Sequence, residues 1–353
     1  MTIPYLSVVG WARNDGYTEN YVRRIERAVG VLARQLDRSG IDSEIVLVEW
    51  NPPPDRPLLA DSFASFGPLS HVTVRVVIVD RRFHVGSQGW QKRGMHGSNA
   101  ANVGIRRARG KFLTTKALDT FYSEKLIERI AKRDLDDRAV YRCDRCDVRM
   151  ADDASGDLED DALLEELARN VVQRHDRLSH SVDWKIRDLH TNACGDFMLM
   201  SARRWAEIRG FQQDPTVLCL DADAIALHAA AAHGAHEICW QDGRDVYKIQ
   251  HATTHLHRTT TIWKDWQYRL DHYLVARKRR KLAAKLRIWF DYPRRRVRGV
   301  EEILGPSIER NLVAKAERFA RNDMSLVTNE VDWGLARESL PERTLTRGIW
   351  DTP

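Results

Sequence analysis

Two short apolar segments near the start of the chain each end in polar residues. The first segment leads into a polar turn with Ala12, Arg13 and Asn14, and the second has Glu49 at its end. If the segments are neighbouring parallel strands, these residues lie together, because open α/β sheets bind ligands at the carboxyl ends of their strands. A carboxylate can accept hydrogen bonds from ribose hydroxyls or from the edge of a base. We therefore predict a nucleotide site here; the alternative is that Asn14 only shapes a turn.

A lone carboxylate, Asp119, follows another apolar segment, residues 111–115. Directly behind it, Ser123 is a favourable N-cap residue and Glu124 suits the first turn of a helix, so Asp119 is predicted at the end of a strand. There its carboxylate could be a ligand of a metal ion that also binds the oxygens of a diphosphate. The nearby Lys116 offers the alternative, because a fixed ammonium group also stabilises phosphate charge.

The elements that must position these residues alternate along the chain. Strands are predicted at 5–11, 43–50, 71–80, 111–115, 139–148, 195–201 and 245–251, and helices at 21–36, 98–110, 163–172, 202–210 and 221–234. Alternation at this spacing indicates βαβ units. The predicted fold class is therefore α/β, with a mostly parallel twisted sheet and helices on both faces.

Composition narrows the class of protein. The chain has 353 residues, of which 43% are hydrophobic, enough for a large core. It contains no run of 18 apolar residues, and its first residues lack the basic region of a signal peptide, so we expect neither a transmembrane helix nor a leader. Five cysteines are few for this length, which favours reduced thiols and a cytoplasmic location.

The net charge of +6 is concentrated near the C-terminus, in the segment 258–298. We place a domain boundary near residue 258 and predict a basic, mainly helical extension at 259–353. Its tryptophans at helical spacing favour an apolar stripe docked on the preceding domain. The alternative is an interfacial helix on an anionic membrane, which would make the protein peripheral on the inner membrane face.

The order of the motifs identifies a family resemblance over residues 5–255. The chain contains "RND", "VEWNPP", "NVGIRRARGKF", "ALDTFYSEKL", "HTNACGDFMLMSARRW", "LDADAIALHAAAAHG" and "VYKIQH" in this order. Together they resemble family 2-like bacterial glycosyltransferases of GT-A fold. The resemblance implies a Rossmann-like catalytic domain at 1–258, with a nucleotide-binding half at about 1–120 and an acceptor half at about 121–258. It also implies transfer of a sugar from a nucleotide-diphosphate sugar to an acceptor hydroxyl, with inversion, in surface polysaccharide or natural-product glycoside biosynthesis.

On the donor side, the resemblance assigns Asn102 and Asp119 to the nucleotide sugar. Enzymes of this fold usually hold Mn²⁺ or Mg²⁺ on an Asp-X-Asp pair, because hard cations prefer oxygen ligands. Here Asp119 stands in the place of the second acid and Ala117 in that of the first. His251 resembles the histidine that often completes the metal site, and a histidine favours Mn²⁺ over Mg²⁺.

On the acceptor side, the resemblance points to two carboxylates. Asp221 opens the alanine-rich helix at the place of the catalytic base, and Asp196 is expected to contact the donor sugar or the acceptor. The acceptor could be a glycan, a lipid-linked intermediate or a small molecule. Simple N-capping is the alternative role of Asp221.

Two other functions compete with glycosyl transfer. A sugar nucleotidyltransferase has a similar architecture, but it normally carries a glycine-rich basic loop after the first strand, and "WARNDG" does not supply one. A nucleic-acid-binding protein could use the basic C-terminal segment and its aromatic residues. We expect no nucleic-acid partner for a glycosyltransferase.

Overall fold

The computed structural model describes residues 3–16, 20–63, 66–85, 94–150, 158–177, 189–213, 222–250 and 328–346. The strands are β1 (Leu6–Ala12), β2 (Ser43–Trp50), β3 (Val72–Val79), β4 (Phe112–Ala117), β5 (Thr120–Tyr122), β6 (Ala139–Cys143), β7 (Arg145–Val148), β8 (Val171–His175), β9 (Met198–Ser201), β10 (His236–Trp240), β11 (Val246–Ile249) and β12 (Glu342–Thr346). The helices are α1 (Tyr21–Arg38), α2 (Leu59–Ser62), α3 (Gly97–Arg107), α4 (Glu124–Ala131), α5 (Asp160–Arg169), α6 (Ala202–Ile208) and α7 (Ala222–Ala232).

A large sheet of eight strands, in the order β10-β6-β9-β4-β1-β2-β3-β12, forms the centre of the described chain. β9 and β12 run antiparallel to their neighbours, and the other pairs are parallel. Apolar residues cover both faces: Val8 belongs to a core with α1 and α4, and Val9 to a core with α3, α6 and α7. The predicted α/β class, with a mostly parallel sheet between two helical layers, is confirmed.

A smaller sheet has the order β5-β11-β7-β8. The sequence predicted one strand over 139–148, but the chain changes sheets at Asp144, so β6 belongs to the large sheet and β7 to the small one. Asp144 belongs to neither strand. It is buried, and its carboxylate binds the side chains of Arg174 and His190, at 3.0 and 3.1 Å. The small sheet therefore lies beside the carboxyl end of the parallel strands.

The helix predicted at 163–172 ends earlier than its apolar pattern suggested. α5 ends at Arg169 with Asn170 as C-cap, and β8 begins at Val171. Two consecutive β-branched valines favour a strand at this point. The short strands β5, β10 and β12 were also missed.

The C-terminal extension predicted at 259–353 is described only at 328–346, and this part contains no helix. β12 pairs antiparallel with β3 at the edge of the large sheet, and Trp333 is buried against α3. The Arg107 guanidinium donates to the carbonyls of Gly334 and Leu335, at 2.7 and 2.8 Å. These residues therefore pack on the predicted domain 1–258 and extend its large sheet, while the boundary near residue 258 stays a prediction.

The remainder of the predicted extension lies outside the described residues. Across the part of the chain that the structure describes, no helix is both long and apolar enough to cross a membrane.

Candidate active site

The ends of β2, β1 and β4 meet as the sequence predicted. Ala12 is opposite Glu49 in the register of β1 and β2, and Trp11 is opposite Ala117 in that of β1 and β4. Since neighbouring strands are about 4.8 Å apart, the three ends lie within about 10 Å. The predicted nucleotide residues and the Asp119 turn therefore share one edge of the sheet.

The turn between β4 and β5 folds back over β1. A Cβ atom on Gly10 would lie 2.1 Å from Leu118 Cδ2 and 3.1 Å from the Lys116 carbonyl oxygen, so a larger residue here would require the Leu118 side chain to move. The next residue of the turn is Asp119, whose side chain is 11% exposed. The missing side chain at Gly10 thus lets Leu118, the neighbour of Asp119, pack directly on β1.

Lys116 does not face a phosphate site. It is fully buried, and its ammonium group donates to the carbonyl oxygens of Ala117, Leu118 and Thr120 within the turn. Burial lowers its pKa to about 7, although the carboxylates of Asp119 and Asp196 oppose this shift. The predicted contact of Lys116 with the donor is therefore corrected: the side chain stabilises the turn from inside.

Lys248, in β11 of the small sheet, places an ammonium group beside Asp119. Its Nζ atom lies 3.8 Å from Asp119 Oδ1, and its side chain is 27% exposed. Burial lowers the pKa of Lys248, but Asp119 and Asp196 outweigh it, so the pKa is raised above its usual value. This edge of the sheet therefore carries a charged ammonium group that was not predicted from the sequence.

Asp196 is part of a charged cluster with Arg145 and Asp147 of β7. Arg145 donates to Asp196 at 2.8 Å and to His175 Nε2 at 2.9 Å, and His175 is 3.1 Å from Asp147. Burial raises the pKa of Asp196, but Arg145 and Lys248 outweigh it and lower the pKa. Asp196 is thus an ionised hydrogen-bond acceptor and a poor general base.

Glu49 is fully buried and only half satisfied. Its Oε2 accepts a hydrogen bond from the Leu59 backbone N–H at 2.9 Å, whereas Oε1 has no partner among the described residues. Burial raises its pKa to about 7. Near neutral pH the carboxyl group can therefore donate or accept a hydrogen bond, as contact with a ribose hydroxyl or a base edge would require.

The turn after β1 anchors the loop 51–59. Arg13 Nε donates to the Asn51 carbonyl at 2.6 Å, and Asn14 Nδ2 donates to the Pro57 carbonyl at 2.9 Å. Ala12 is buried in the core, so it can offer a ligand only its backbone. These contacts give the predicted residues a role in shaping the loop; their donor contact stays a prediction.

Asn102 does not offer its amide to a ligand. Its Nδ2 donates to the Phe211 carbonyl at 2.6 Å, and its Oδ1 accepts from the Phe211 N–H at 2.7 Å. The side chain is fully buried. The predicted donor contact is corrected, because both ends of the amide hold the backbone just before residues 214–221.

Two predicted residues, Asp221 and His251, lie outside the described residues. Asp221 immediately precedes α7, whose first turn contains Asp223. Asp223 Oδ2 accepts from the Gly195 backbone N–H at 2.7 Å. The start of α7 is therefore tied to the short 3₁₀ helix, Cys194–Asp196, that carries Asp196.

The described residues around Asp119 fit a divalent cation poorly. Ala117 has no ligand atom at the position of the first acid, and Asp119 already faces the Lys248 ammonium. A second cation on the same carboxylate would be repelled by that ammonium. The other predicted ligand, His251, lies outside the described residues.

A different group of side chains could hold a metal ion. Ligand atoms of Asp144, His190 and Cys239 lie within 4.8 Å of one another. However, Asp144 is already bound to His190 and to Arg174, and burial raises the pKa of the Cys239 thiol to about 11. In this state the group is a hydrogen-bonded network with a neutral thiol.

The sequence contained a signal for the residues that were missed. In "RCDV", Arg145 and Asp147 alternate with the apolar Cys146 and Val148, so both charges face away from the core. In "VYKI", Lys248 interrupts a buried strand in the same way. An isolated charge in an otherwise buried strand indicates a partner in another element, but the sequence does not say which.

No family model matches the sequence, and no curated protein matches it either. Solved structures similar to the chain include three crystal structures of residues 1–349 of S. aureus TarS, a GT-A-type glycosyltransferase. The first has 12% sequence identity and a TM-score of 0.43. The complexes with UDP-GlcNAc and with UDP have 12% and 13% identity and TM-scores of 0.45. Each match covers 92% of this chain and 83–84% of the TarS chain.

Proposed function

We propose that the protein is a glycosyltransferase that moves a sugar from a nucleotide-diphosphate sugar to an acceptor hydroxyl. The observation that supports it is the meeting of two different polar sites at one edge of the sheet. One is the half-satisfied carboxyl group of Glu49, and the other is the charged group formed by Asp119, Lys248 and Asp196. A nucleotide sugar presents hydroxyl and base edges at one end and charged phosphates at the other.

In the proposed complex, the unpartnered oxygen of Glu49 binds a ribose hydroxyl or the base. The diphosphate lies toward the β4–β5 turn, and Asp196 accepts hydrogen bonds from sugar hydroxyls. The ionised state of Asp196 suits this role, because charge-assisted hydrogen bonds to hydroxyls are shorter and stronger than neutral ones.

The proposed reaction is a displacement at the anomeric carbon of the sugar. The bond from this carbon to the diphosphate oxygen breaks, and its electron pair stays on that oxygen. The acceptor oxygen forms the new bond on the opposite face, which inverts the configuration, and its proton passes to a carboxylate base. Asp221 is our candidate for that base, because it immediately precedes α7 in sequence, and Asp223 in the first turn of α7 accepts a hydrogen bond from the 3₁₀ helix that carries Asp196.

Several finer parts of the proposal rest on the sequence alone. Mn²⁺ or Mg²⁺ on Asp119 and His251 is one way to stabilise the leaving diphosphate, and a fixed side-chain cation is the other. A cytoplasmic location and a contact of the basic segment 258–298 with an anionic membrane also stay predictions. The acceptor is defined only by its hydroxyl group.

A thermal-shift panel tests the proposal. UDP, ADP, GDP and CDP and their sugar derivatives are added to the full-length protein, because a ligand that binds only the native state raises its melting temperature. We expect one nucleotide series to raise the melting temperature and the matching nucleotide sugar to be turned over with a hydroxyl acceptor. If none of them shifts the transition, with or without Mn²⁺, the glycosyltransferase assignment is wrong.

A further inference from the structure

Lys248 holds an ammonium group whose hydrogen-bonding capacity is unused by the described residues. Its Nζ atom is 3.8 Å from Asp119 Oδ1, which is an ion-pair distance, and it donates no hydrogen bond to any residue that the structure describes. The side chain is 27% exposed, so a ligand can reach it. Three N–H donors are therefore available beside Asp119.

The position of Lys248 is fixed by its strand. In the small sheet, Lys248 is opposite Thr120 of β5 on one side and Asp147 of β7 on the other. β5 directly follows the turn that carries Asp119, so the ammonium and the turn are parts of one hydrogen-bonded unit. This arrangement aims the charge at the sheet edge before any ligand arrives.

Lys116 provides an internal comparison. Its ammonium also interacts electrostatically with Asp119, but it donates to three backbone carbonyls and is fully buried. One lysine therefore stabilises the turn from inside, and the other presents its charge to the outside. Of these two lysines, Lys248 alone combines exposure with donors that the described residues leave unused.

We propose that Lys248 replaces the divalent cation at the diphosphate, so that donor binding and leaving-group stabilisation are independent of metal. This inference rests on the proposed function. As the bond between the anomeric carbon and the phosphate oxygen breaks, the electron pair remains on that oxygen, and the Lys248 ammonium stabilises the charge by hydrogen bonding without giving up its proton. Asp119 then orients Lys248 instead of binding a metal ion.

Calorimetric titration of the full-length protein tests this inference. UDP, ADP, GDP and CDP are each titrated in EDTA and in Mn²⁺, and the matching nucleoside is titrated beside the diphosphate that binds. We expect the affinity of the wild-type protein to differ by less than about threefold between the two conditions. Lys248→Met should weaken diphosphate binding by about 10- to 100-fold and leave nucleoside binding unchanged, because a charged hydrogen bond is lost only at the phosphates.

Two further variants separate charge from folding. Lys248→Arg keeps a cation and should retain most of the affinity. Lys111 also forms a lysine–aspartate ion pair, 3.6 Å from Asp137, but it precedes β4 at the opposite end of the strand. Lys111→Met should therefore bind the diphosphate as the wild type does.

The outcomes distinguish this inference from the proposed function. Diphosphate binding that disappears in EDTA, or a Lys248→Met protein that binds as tightly as wild type, contradicts the role of Lys248 and leaves glycosyl transfer standing. Absence of binding by all four diphosphates contradicts both. If Lys248→Met does not fold, the wild-type titration in EDTA and the Lys248→Arg variant still decide the question.

Discussion

Asp223 and Gly195 connect the start of α7, which Asp221 immediately precedes in sequence, with the 3₁₀ helix that carries Asp196. The Asp223 carboxylate accepts the Gly195 N–H at 2.7 Å with one oxygen and the Ala224 N–H at 2.9 Å with the other. A Cβ atom at Gly195 would lie 3.0 Å from the same carboxylate, so the approach is close. Movement of the start of α7 is thereby coupled to the position of the neighbouring Asp196.

Asp223→Ala should reduce transfer more than donor binding. It removes these two hydrogen bonds and leaves the Gly195 N–H without this acceptor, so we expect a loss of stability of about 1–3 kcal/mol. The rate of transfer should fall about tenfold, because a displaced catalytic group loses its orientation, while nucleoside diphosphate affinity stays near wild type. Turnover, calorimetry and thermal unfolding measure the three effects.

Asp161→Ala is the matched control for this substitution. Asp161 is also an acid in the first turn of a helix, but it pairs on the surface with Arg38. If both variants have the same turnover as wild type, the tie between Asp223 and Gly195 does not position the site.

Asn102→Ala should destabilise the fold. Removal of the amide leaves the buried Phe211 N–H without its acceptor, which costs about 1–3 kcal/mol. The Phe211 carbonyl keeps a second donor, Asn329 Nδ2, at 2.6 Å. Urea unfolding measures the loss. Asn170→Ala, which removes a partly exposed amide at the C-cap of α5, should lower the free energy of unfolding by less. An equal loss would show that Asn102 is not a buried anchor.

The elements of the large sheet were largely predictable, because their patterns are long and unambiguous. β2 is one uninterrupted apolar run, and α1 repeats its apolar residues at helical spacing over 18 residues. Short elements such as β5 and β8 were not predictable, since three to five residues contain too little periodicity. β12 was missed because its partner β3 lies more than 250 residues away in sequence.

The location of the candidate site was predictable from the sequence, but the roles of its side chains were not. The sheet edge followed from parallel strands, and Glu49 and Asp119 do lie there. Lys116 and Asn102 were assigned to the donor from their position alone, but their burial and hydrogen bonds depend on turns and loops that a sequence pattern does not specify. Lys248 reaches the site through β11, so only the arrangement of the small sheet reveals it.

Glu49→Gln should change how stability depends on pH. The pKa of Glu49 is about 7 in the folded protein and about 4.5 when unfolded. Between these values the folded state binds more protons, so this group's stabilising effect is complete below pH 4.5 and is lost as the pH rises through 7. The loss is at most about 3–4 kcal/mol, because the two pKa values differ by about 2.5 units and each unit corresponds to about 1.36 kcal/mol.

The free energy of unfolding of the wild type and of Glu49→Gln, measured from pH 4.5 to 8, checks this prediction. Relative to the variant, the wild type should lose stability over that range. The exposed Glu128 is the control position, and Glu128→Gln should follow the wild type. A constant difference between wild type and Glu49→Gln at every pH would mean that Glu49 ionises normally.

Asp119→Ala should weaken binding of the diphosphate but not of the nucleoside. Without its carboxylate, Lys248 loses the partner that orients it, and we expect about a tenfold loss of diphosphate affinity. Titrations of both ligands, in EDTA, measure the effect. Asp137→Ala breaks the surface pair with Lys111 and serves as the control. If Asp119→Ala binds the diphosphate like wild type, Asp119 has no part in the donor site.

Asp221→Asn should keep donor binding and lose transfer. The amide has the same shape but cannot accept the proton of the acceptor hydroxyl, so removal of a general base should reduce turnover by about 10²–10⁴-fold. The affinity for the nucleotide that passes the thermal-shift panel should change less than about threefold. If Asp221 is only a helix cap, a different result is expected. Asparagine caps helices as well as aspartate does, so turnover would then be unchanged. Measurement of turnover and nucleotide affinity on the same preparation therefore separates the base from the cap, and an unchanged turnover would direct the search for the base to another carboxylate.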